Sequence, residues 1–340
     1  MKKILKKLAV SPWTALITLA LVVGVRVSDP TFVESVRLRY FDTLITAKEP
    51  TVNNIVTVNI DEPSLDKYGQ WPLPRAKYAE IVRDLYQRGA GLVVLNVLMP
   101  EPDRTGGDGA LGQALKQYPV VLSSAPAQKT KNIPRVPGSA VINSEHSNQI
   151  VQYPGLIANV PILEQSAVGV GITNTLPEVD GVNRRLPLIV TVDGKIYPSL
   201  AMETLRVAAG DNTVQVKLFE GGVEKMRIPK FGPITTDNLG RVWIDWSQES
   251  RSFSLTNLPK DLHGAIVIVG PTAAGIGNPL PTSKGAVWPH EAQAAAIGTM
   301  INGVVIQRPD WADGAEIIAL AVAGILLLFL TRYVYVGLVS

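Results

Sequence analysis

The chain has 340 residues, 32 basic and 29 acidic side chains, a net charge of +3 and no cysteine, which excludes disulfides and thiol catalysis and fits an oxidising compartment such as the periplasm. Every acidic residue lies between Asp29 and Glu316, while six of the 32 bases lie outside that interval, which leaves 26 bases against 29 acids and a net charge of −3 for the middle of the chain. This mildly acidic middle has no basic patch, so the composition argues against nucleic acid as a partner.

An apolar stretch lies near each end of the chain. The first, residues 8–27, follows four lysines within residues 1–7, and the second, residues 315–331, is followed directly by Arg332. Each stretch is close to the minimum length of a helix that spans a bilayer, and the lysines place the N-terminus in the cytoplasm by the positive-inside rule. A cleaved signal peptide is the alternative for the first stretch, but no good small-residue cleavage site follows it.

These stretches predict a multi-pass protein of the inner (cell) membrane. The main domain, residues 28–314, is then extracytoplasmic, in the periplasm, and is held between two transmembrane helices. Residues 332–340 contain another apolar run, which is read as the start of a further membrane segment of a longer natural protein.

Apolar periodicity in the main domain predicts an α/β fold. Residues 37–44 have helical spacing and are expected to continue the first membrane helix into the domain as a stiff link. Strand 55–60, helix 75–89 and strand 92–98 form a βαβ unit, which predicts a parallel pair of strands joined by a right-handed crossover. Further strands are predicted at 119–123, 167–174, 186–192 and 265–269, and further helices at 110–118, 200–209 and 291–301.

Two other regions complete the predicted fold. Residues 214–218, 224–228 and 241–245 alternate as antiparallel strands, whereas residues 125–161 are rich in Pro, Asn, Ser and Gly and are read as a long irregular excursion. The predicted architecture is therefore a mixed sheet with a parallel core of βαβ units, an antiparallel portion and helices on its faces, flanked by transmembrane helices.

Polar residues follow three of the predicted buried strands. Asp61 and Glu62 follow the first, Asp103 and Asp108 follow the second, and Thr272 follows a late one. Because ligands of open α/β sheets usually lie beyond the carboxyl ends of the strands, these side chains could line one crevice, whose carboxylates could hold Mg²⁺ or Ca²⁺. The alternative is structural, since acids at strand ends commonly cap the next helix or stabilise the turn.

Three further side chains are candidates for ligand binding. Trp71, which lies between glutamine and two nearby prolines, could close a pocket or could simply pack a rigid loop. Arg75 is expected to pair with Asp61 or Glu62, and its replacement by alanine should then lower stability. Arg184 lies in the polar turn DGVNRR, where it could bind a ligand carboxylate or belong to a solvated turn.

Catalytic motifs are absent from the sequence. No serine-nucleophile elbow, P-loop or H-E-x-x-H motif occurs, and His146, His263 and His290 stand outside any such pattern. The lone G-x-G at Gly169 and Gly171 is read as close packing of a strand rather than phosphate binding. The sequence therefore predicts no catalytic residue, no cofactor and no resident metal, and hence no enzyme within these 340 residues.

Several segments together match a known family, and the run VNIDEPSL followed by GQWPLPR is the most specific of them. The matching segments are residues 39–44 (RYFDTL), 58–65 (VNIDEPSL), 69–75 (GQWPLPR), 100–103 (PEPD), 180–188 (DGVNRRLPL), 198–201 (PSLA) and 267–273 (VIVGPTA). With these segments the chain resembles the CHASE2 domain, an extracytoplasmic sensory domain of bacterial signalling receptors, over nearly the whole main domain.

The resemblance implies a sensor that lies between a first membrane helix and later ones and is followed by a cytoplasmic output module, such as a nucleotide cyclase or a histidine kinase. It also implies a homodimer, and it leaves the ligand undefined. The sequence departs from the family pattern at Asn96 and Asn278, where acids are expected, and residues 289–294 (PHEAQA) follow the pattern only loosely. These departures remove anions from the crevice and so weaken the metal-binding hypothesis.

The favoured hypothesis is a sensing domain that binds an extracytoplasmic small molecule or protein and passes a conformational change through its membrane helices. One alternative is a structural or interaction subunit of a membrane complex, which would dock through residues 125–161 or the strands within 212–250. The other is a membrane-anchored, metal-dependent hydrolase that uses Asp61 and Asp103. The residues predicted to bind a ligand are Asp61, Glu62, Trp71, Arg75, Asp103, Arg184 and Thr272.

Overall fold

The chain divides into two compact units, residues 1–41 with 307–340 and residues 42–306. The computed structural model describes residues 12–45, 49, 51–133, 135, 139–142, 144–303, 306 and 311–339. The helices are α1 (Pro12–Ser28), α2 (Thr31–Ile45), α3 (Glu62–Tyr68), α4 (Arg75–Gln87), α5 (Asp108–Gln117), α6 (Pro161–Ser166), α7 (Leu200–Ala208), α8 (Pro289–Ile301) and α9 (Ala312–Val339), with one 3₁₀ segment at Ser144–Gln149. The strands are β1 (Thr51–Ile60), β2 (Leu92–Leu95), β3 (Val120–Ala127), β4 (Ser139–Ile142), β5 (Gly155–Ile157), β6 (Gly169–Ile172), β7 (Arg185–Pro187), β8 (Ile189–Val192), β9 (Lys195–Pro198), β10 (Val214–Phe219), β11 (Gly222–Ile228), β12 (Gly232–Ile234), β13 (Arg241–Trp243), β14 (Gln248–Ser254), β15 (Ile266–Pro271), β16 (Leu280–Thr282) and β17 (Gly285–Val287).

Helices α1 and α9 pack against each other as an antiparallel pair in the unit of residues 1–41 and 307–340. A Cβ atom at Gly324 would lie 2.3 Å from a methyl carbon of Leu19, so the absence of a side chain at this glycine allows the close approach. Further along, the Arg26 guanidinium forms an ion pair with Glu316, with Nε and Nη2 at 2.9 and 2.8 Å from Oε2. Leu19 of α1 contacts Gly324 of α9, whereas the later residue Arg26 contacts the earlier residue Glu316. The two helices therefore run in opposite directions.

Helix α2 does not continue α1. The chain breaks at Asp29, whose φ of 40° lies in the left-handed region, and Pro30 follows it. Proline disfavours a helical conformation in the residue before it and is well suited to the start of a new helix. The segments Leu16–Ser28 and Thr31–Ile45 meet at 80°, so the prediction that residues 37–44 extend the first helix was wrong.

Among the described residues, no single helix is long and apolar enough to qualify as a membrane span. The segments Leu16–Ser28 and Thr31–Ile45 qualify together by length and composition, and a shorter apolar helix covers Gly314–Leu330. The predicted transmembrane helices therefore stay predictions.

The unit of residues 42–306 is built on a mixed sheet with a parallel core, as predicted. Strands β14, β1, β15, β2, β3 and β6 lie side by side in that order, each parallel to its neighbour, and β5 pairs antiparallel with the end of β3. The strands of the predicted βαβ unit, β1 and β2, are parallel but not adjacent. Strand β15 separates them, since Ile266 pairs with Ile55 on one side and Leu92 on the other, so the predicted parallel orientation is confirmed but the two strands do not pair directly.

Alternation along the central strands divides the core into two apolar layers. Ile55 of β1 and Val94 of β2 belong to the layer that contains α7, α8 and the antiparallel strands. Their neighbours Val56 and Val93 belong to the layer that contains α4, α5 and α6. Because both faces of the sheet are covered, the strands read in sequence as continuous apolar runs rather than as alternating patterns.

The antiparallel portion forms a second sheet in the order β12, β11, β10 and β4. The predicted hairpin of β10 and β11 is confirmed, but its third antiparallel strand is β12. Strand β13, in the predicted segment 241–245, pairs instead with β7. The segment 125–161 is less irregular than predicted, because it contains β4, β5 and a 3₁₀ turn, and β4 extends the second sheet parallel to β10.

Candidate functional site

Asp61 caps the helix that follows β1. Its carboxylate accepts hydrogen bonds from the backbone N–H of Ser64 at 3.1 Å, from the Ser64 hydroxyl and from the Ser254 hydroxyl at 3.0 Å. Capping satisfies N–H groups in the first turn that have no partner within a helix. The geometry therefore favours the structural alternative for this carboxylate.

Glu62 and Thr272 fasten the glycine-rich loop after β15 to the end of β1. The Glu62 carboxylate accepts a hydrogen bond from the backbone N–H of Ala274 at 2.8 Å. The Thr272 N–H donates to the Ile60 carbonyl at 3.0 Å. Both contacts join two neighbouring strand ends, so Asp61, Glu62 and Thr272 do lie together at one edge of the sheet, as predicted.

Asp103 organises the loop between β2 and α5. Its carboxylate accepts hydrogen bonds from the backbone N–H of Arg75 at 3.1 Å and of Gly107 at 2.9 Å, and from the Thr105 hydroxyl at 2.7 Å. Burial raises the pKa of Asp103, but these hydrogen bonds outweigh it and hold the pKa below its usual value. A carboxylate with this many donors has little capacity left for a cation.

Arg75 lies buried at the start of α4, and its ionic neighbour differs from the predicted one. Its Nε lies 3.8 Å from Asp108 Oδ1, so the expected pairing with Asp61 or Glu62 was wrong. The Asp108 carboxylate also accepts a hydrogen bond from the backbone N–H of Asp103 at 2.9 Å. Arg75 thus stabilises the loop after β2 rather than the loop after β1.

The strand-end crevice does not gather a metal-binding set. Within the described ranges, no group of three or more His, Asp or Glu side chains could hold a metal ion. Trp71, partly buried, packs against the apolar layer that contains α4 and α5. The hydrolase alternative therefore gains no support from the geometry of Asp61 and Asp103.

Arg184 has no exposed side-chain surface and forms ion pairs with two carboxylates, those of Asp42 and Asp180. Its Nε and Nη2 bond the two Asp42 oxygens at 2.8 and 2.7 Å, and its Nη1 and Nη2 bond the two Asp180 oxygens at 2.8 Å each. The Ser283 hydroxyl donates a further bond to Asp42 at 2.6 Å. The solvated-turn alternative was wrong, because Arg184 binds carboxylates of its own chain.

Charge pairing explains the titration of this network. Burial lowers the pKa of Arg184, but the bonds to Asp42 and Asp180 outweigh burial and raise it. The hydrogen bonds from Arg184 hold the pKa of Asp180 below its usual value. The pKa of the neighbouring Arg185 is raised in the same way, because its hydrogen bonds to Glu178 at 2.6 and 2.7 Å outweigh the effect of burial.

A second ionic centre, not predicted from the sequence, lies on α7. Glu203 is fully buried and accepts two hydrogen bonds from Arg206, from Nε at 2.8 Å and from Nη2 at 2.6 Å. A Cβ atom at Gly169 would lie 2.3 Å from Glu203 Oε1, and one at Gly171 would lie 2.5 Å from the Leu200 Cα. The close-packing interpretation of this G-x-G is therefore confirmed, and the E-x-x-R spacing on a mostly apolar helix was the signal for the pair.

His290 is buried in the first turn of α8 and stays neutral. Burial lowers its pKa to about 3. Its Nε2 lies 2.8 Å from Asn59 Oδ1, and a Cβ atom at Gly270 would lie 2.4 Å from its ring. The ring thus fills the space that Gly270 leaves open, and this contact is structural.

Comparison with known proteins adds a family to this geometry. A model of the CHASE2 domain matches residues 17–329, nearly the whole chain. Comparisons with curated proteins and with solved structures gave no match. The chain therefore belongs to the CHASE2 family of sensory, non-catalytic domains.

Proposed function

We propose that this chain is the extracytoplasmic sensing part of a membrane-bound signalling receptor. A small molecule or a protein outside the cytoplasm biases residues 42–306 between two conformations, and the membrane helices carry the difference to a cytoplasmic output module. The receptor acts as a homodimer of this chain. Membership of a sensory family supports the sensing part of this proposal.

The surface of the terminal helices supports the membrane part. Large apolar side chains stand exposed on both, such as Leu21 at 65% on α1 and Ile318 at 65% on α9. An extended apolar surface is unfavourable in water, whereas lipid covers it without cost. Because α1 and α9 are antiparallel, a chain anchored by both has its two ends on one side of the bilayer.

The Arg184 network is the observation that carries the transmission part. Asp42 lies in α2, which follows α1 directly in the chain, and Arg184 binds both Asp42 and Asp180. A movement of the turn at Asp180 therefore acts on the end of α2 through charge-assisted hydrogen bonds rather than through a flexible linker. Such a connection passes small displacements toward the first apolar helix.

The topology can be tested with single cysteines, because the sequence contains none and the unmodified chain is its own blank. Two variants carry one cysteine each. Glu220→Cys changes an exposed residue in the turn between β10 and β11, and Lys3→Cys changes one of the N-terminal lysines. We expect a membrane-impermeant maleimide to label the first variant in intact spheroplasts and the second only after lysis. The reverse pattern contradicts an extracytoplasmic sensor.

Transmission can be tested with an adenylate cyclase catalytic domain joined after Ser340. Asp42→Asn removes a charge from the Arg184 network, so cyclase output should change by at least about fivefold, the lower end of common allosteric couplings. Asp66→Asn, an exposed aspartate on α3, is the matched control and should leave output unchanged. If the unmodified fusion, Asp42→Asn and Asp66→Asn give equal cyclase output at equal abundance, transmission through this network is overturned.

A further inference from the structure

A cavity of about 490 Å³ opens beside β6 and α7, within residues 42–306. Its wall is formed by residues 168–170 at β6, by 206–207 on α7, by 210–212 in the following turn and by Arg135. The ligand-binding candidates predicted from the sequence do not line it. A space of this size lies within the range that holds small organic ligands.

Two arginines line this cavity, and both have donors to spare. Arg206 uses three of its five N–H groups on Glu203 and on the Asp211 carbonyl, which leaves two in the described contacts. Arg135 is exposed and donates one Nη1 hydrogen bond to the Ala167 carbonyl at 2.9 Å. Free N–H groups on two arginines are the donor set that a carboxylate accepts from best.

Charged side chains of both signs surround the cavity. The Lys230 ammonium donates to the Gly210 carbonyl at the cavity wall and adds a third cation to the two arginines. Three carboxylates oppose them, and one of these is the buried Glu164, which accepts a hydrogen bond from the backbone N–H of Arg135 at 3.0 Å. The carboxylate of Asp211 is already occupied by backbone N–H groups, including that of Lys230 at 2.8 Å, and Glu203 lies beneath Arg206. The charges of these described groups therefore balance, and it is the N–H groups that the two arginines have to spare that favour an anion.

Part of the remaining wall is apolar, although Asp211 and Asn212 also line it, and this part suits a ligand with an apolar body. Val168, Val170 and Val207 line it together with Gly169. Val168 is 41% exposed, so part of this apolar surface stays in contact with water when the cavity holds no ligand. Covering it stabilises a complex in proportion to the area removed from water.

We propose that this cavity binds a small organic carboxylate, with the carboxylate between Arg135 and Arg206 and the apolar body against the three valines. The inference deepens the proposed function, on which it rests for its biological meaning, by naming the chemical class of the signal. It places the ligand on the β6 side of the parallel core, away from the strand-end crevice.

Fluorine NMR of the full chain in lipid nanodiscs tests the proposal. Broadening of the para-fluorobenzoate signal reports weak binding directly, and para-fluorobenzyl alcohol is the neutral probe of the same shape. We expect the carboxylate and not the alcohol to broaden. Arg135→Gln should weaken carboxylate binding about tenfold, as expected for loss of one charged hydrogen-bond partner.

Two further variants separate the cavity from the general surface. Val168→Trp fills the apolar wall without changing charge and should abolish broadening. Arg104→Gln removes an exposed arginine outside the cavity and should leave binding as in the unmodified chain. Equal broadening by both probes, equal binding after Arg135→Gln, or no carboxylate binding to the unmodified chain overturns the proposal. The binding measurement needs no signalling output. A negative NMR result therefore does not contradict the topology and cyclase experiments, and negative results in those experiments do not contradict ligand binding.

Discussion

Replacing Arg184 with alanine is expected to lower the free energy of unfolding by about 3–5 kcal/mol, the usual result of removing one partner from a buried ion network. The side chain of Asp180 is 2% exposed and that of Asp42 is 16% exposed, so neither carboxylate can regain full hydration after Arg184 is lost. The cost comes from these stranded charges more than from the lost contacts.

Denaturant unfolding of the full chain in nanodiscs measures this effect. Arg104→Ala, at an exposed arginine, should change stability by no more than about 0.5 kcal/mol and serves as the control. Asp42→Ala should lower the free energy of unfolding much less in the Arg184→Ala variant than in the unmodified chain, because the two side chains share one interaction. If Arg184→Ala does not fold, the comparison of Asp42→Asn with Asp66→Asn still measures the network, and equal stabilities would contradict it.

The same network makes stability fall in acid. The pKa of Asp180 is lowered in the folded chain by its hydrogen bonds with Arg184. Its contribution is therefore fully present above the pKa of an unfolded aspartate, about 4, and is lost as the pH falls through the folded value. Arg184→Ala should show a smaller loss of stability over this interval than the unmodified chain.

The parallel core could be predicted from the sequence because its strands are buried on both faces. Runs such as IVTVNI at β1 and LVVL at β2 carry that signal without any knowledge of the fold. Strand β14 (QESRSFS) lacks it, since an edge strand needs no continuous apolar run. The position of β15 between β1 and β2 could not be read from local pattern, because strand order depends on contacts between distant segments.

The same distinction applies to the ionic sites: a contact between residues close in sequence could be predicted, and contacts between distant segments could not. The position of Asp61 directly after a predicted strand allowed the alternative of a helix cap, and the structure contains that cap. The partners of Arg184 lie in α2 and in the turn at Asp180, and no spacing rule links residue 184 to residue 42. The residues of the β6 cavity come from four separate segments, so only their arrangement in space reveals them.

Glu203→Gln is expected to tighten binding of an anionic probe in the β6 cavity about tenfold, the gain expected when a buried charge no longer competes for a hydrogen-bonded arginine. The Glu203 carboxylate accepts two of the Arg206 N–H groups, and its negative charge repels an anion that enters the cavity. The amide of glutamine keeps a similar shape and removes both effects. Arg206→Lys is the matched comparison: it keeps the charge but loses the forked donors, and it should weaken binding.

The pH dependence of this affinity distinguishes a ligand site from a merely structural ion pair. Burial raises the pKa of Glu203, and the hydrogen bonds and charge of Arg206, together with the charge of Arg135, only partly offset it. The folded chain thus holds this proton more tightly than the unfolded chain, so the contribution of Glu203 to stability falls as the pH rises through the interval between the two pKa values.

Within that same interval the affinity for an anion should also fall as the pH rises, because Glu203 becomes charged beside Arg206. Para-fluorobenzenesulfonate stays ionised throughout and is the suitable probe. Its affinity should rise in acid for the unmodified chain and stay flat for Glu203→Gln. Parallel pH profiles for the two chains would contradict a role of Glu203 in setting the charge of the cavity, and would leave the pair on α7 with packing as its function.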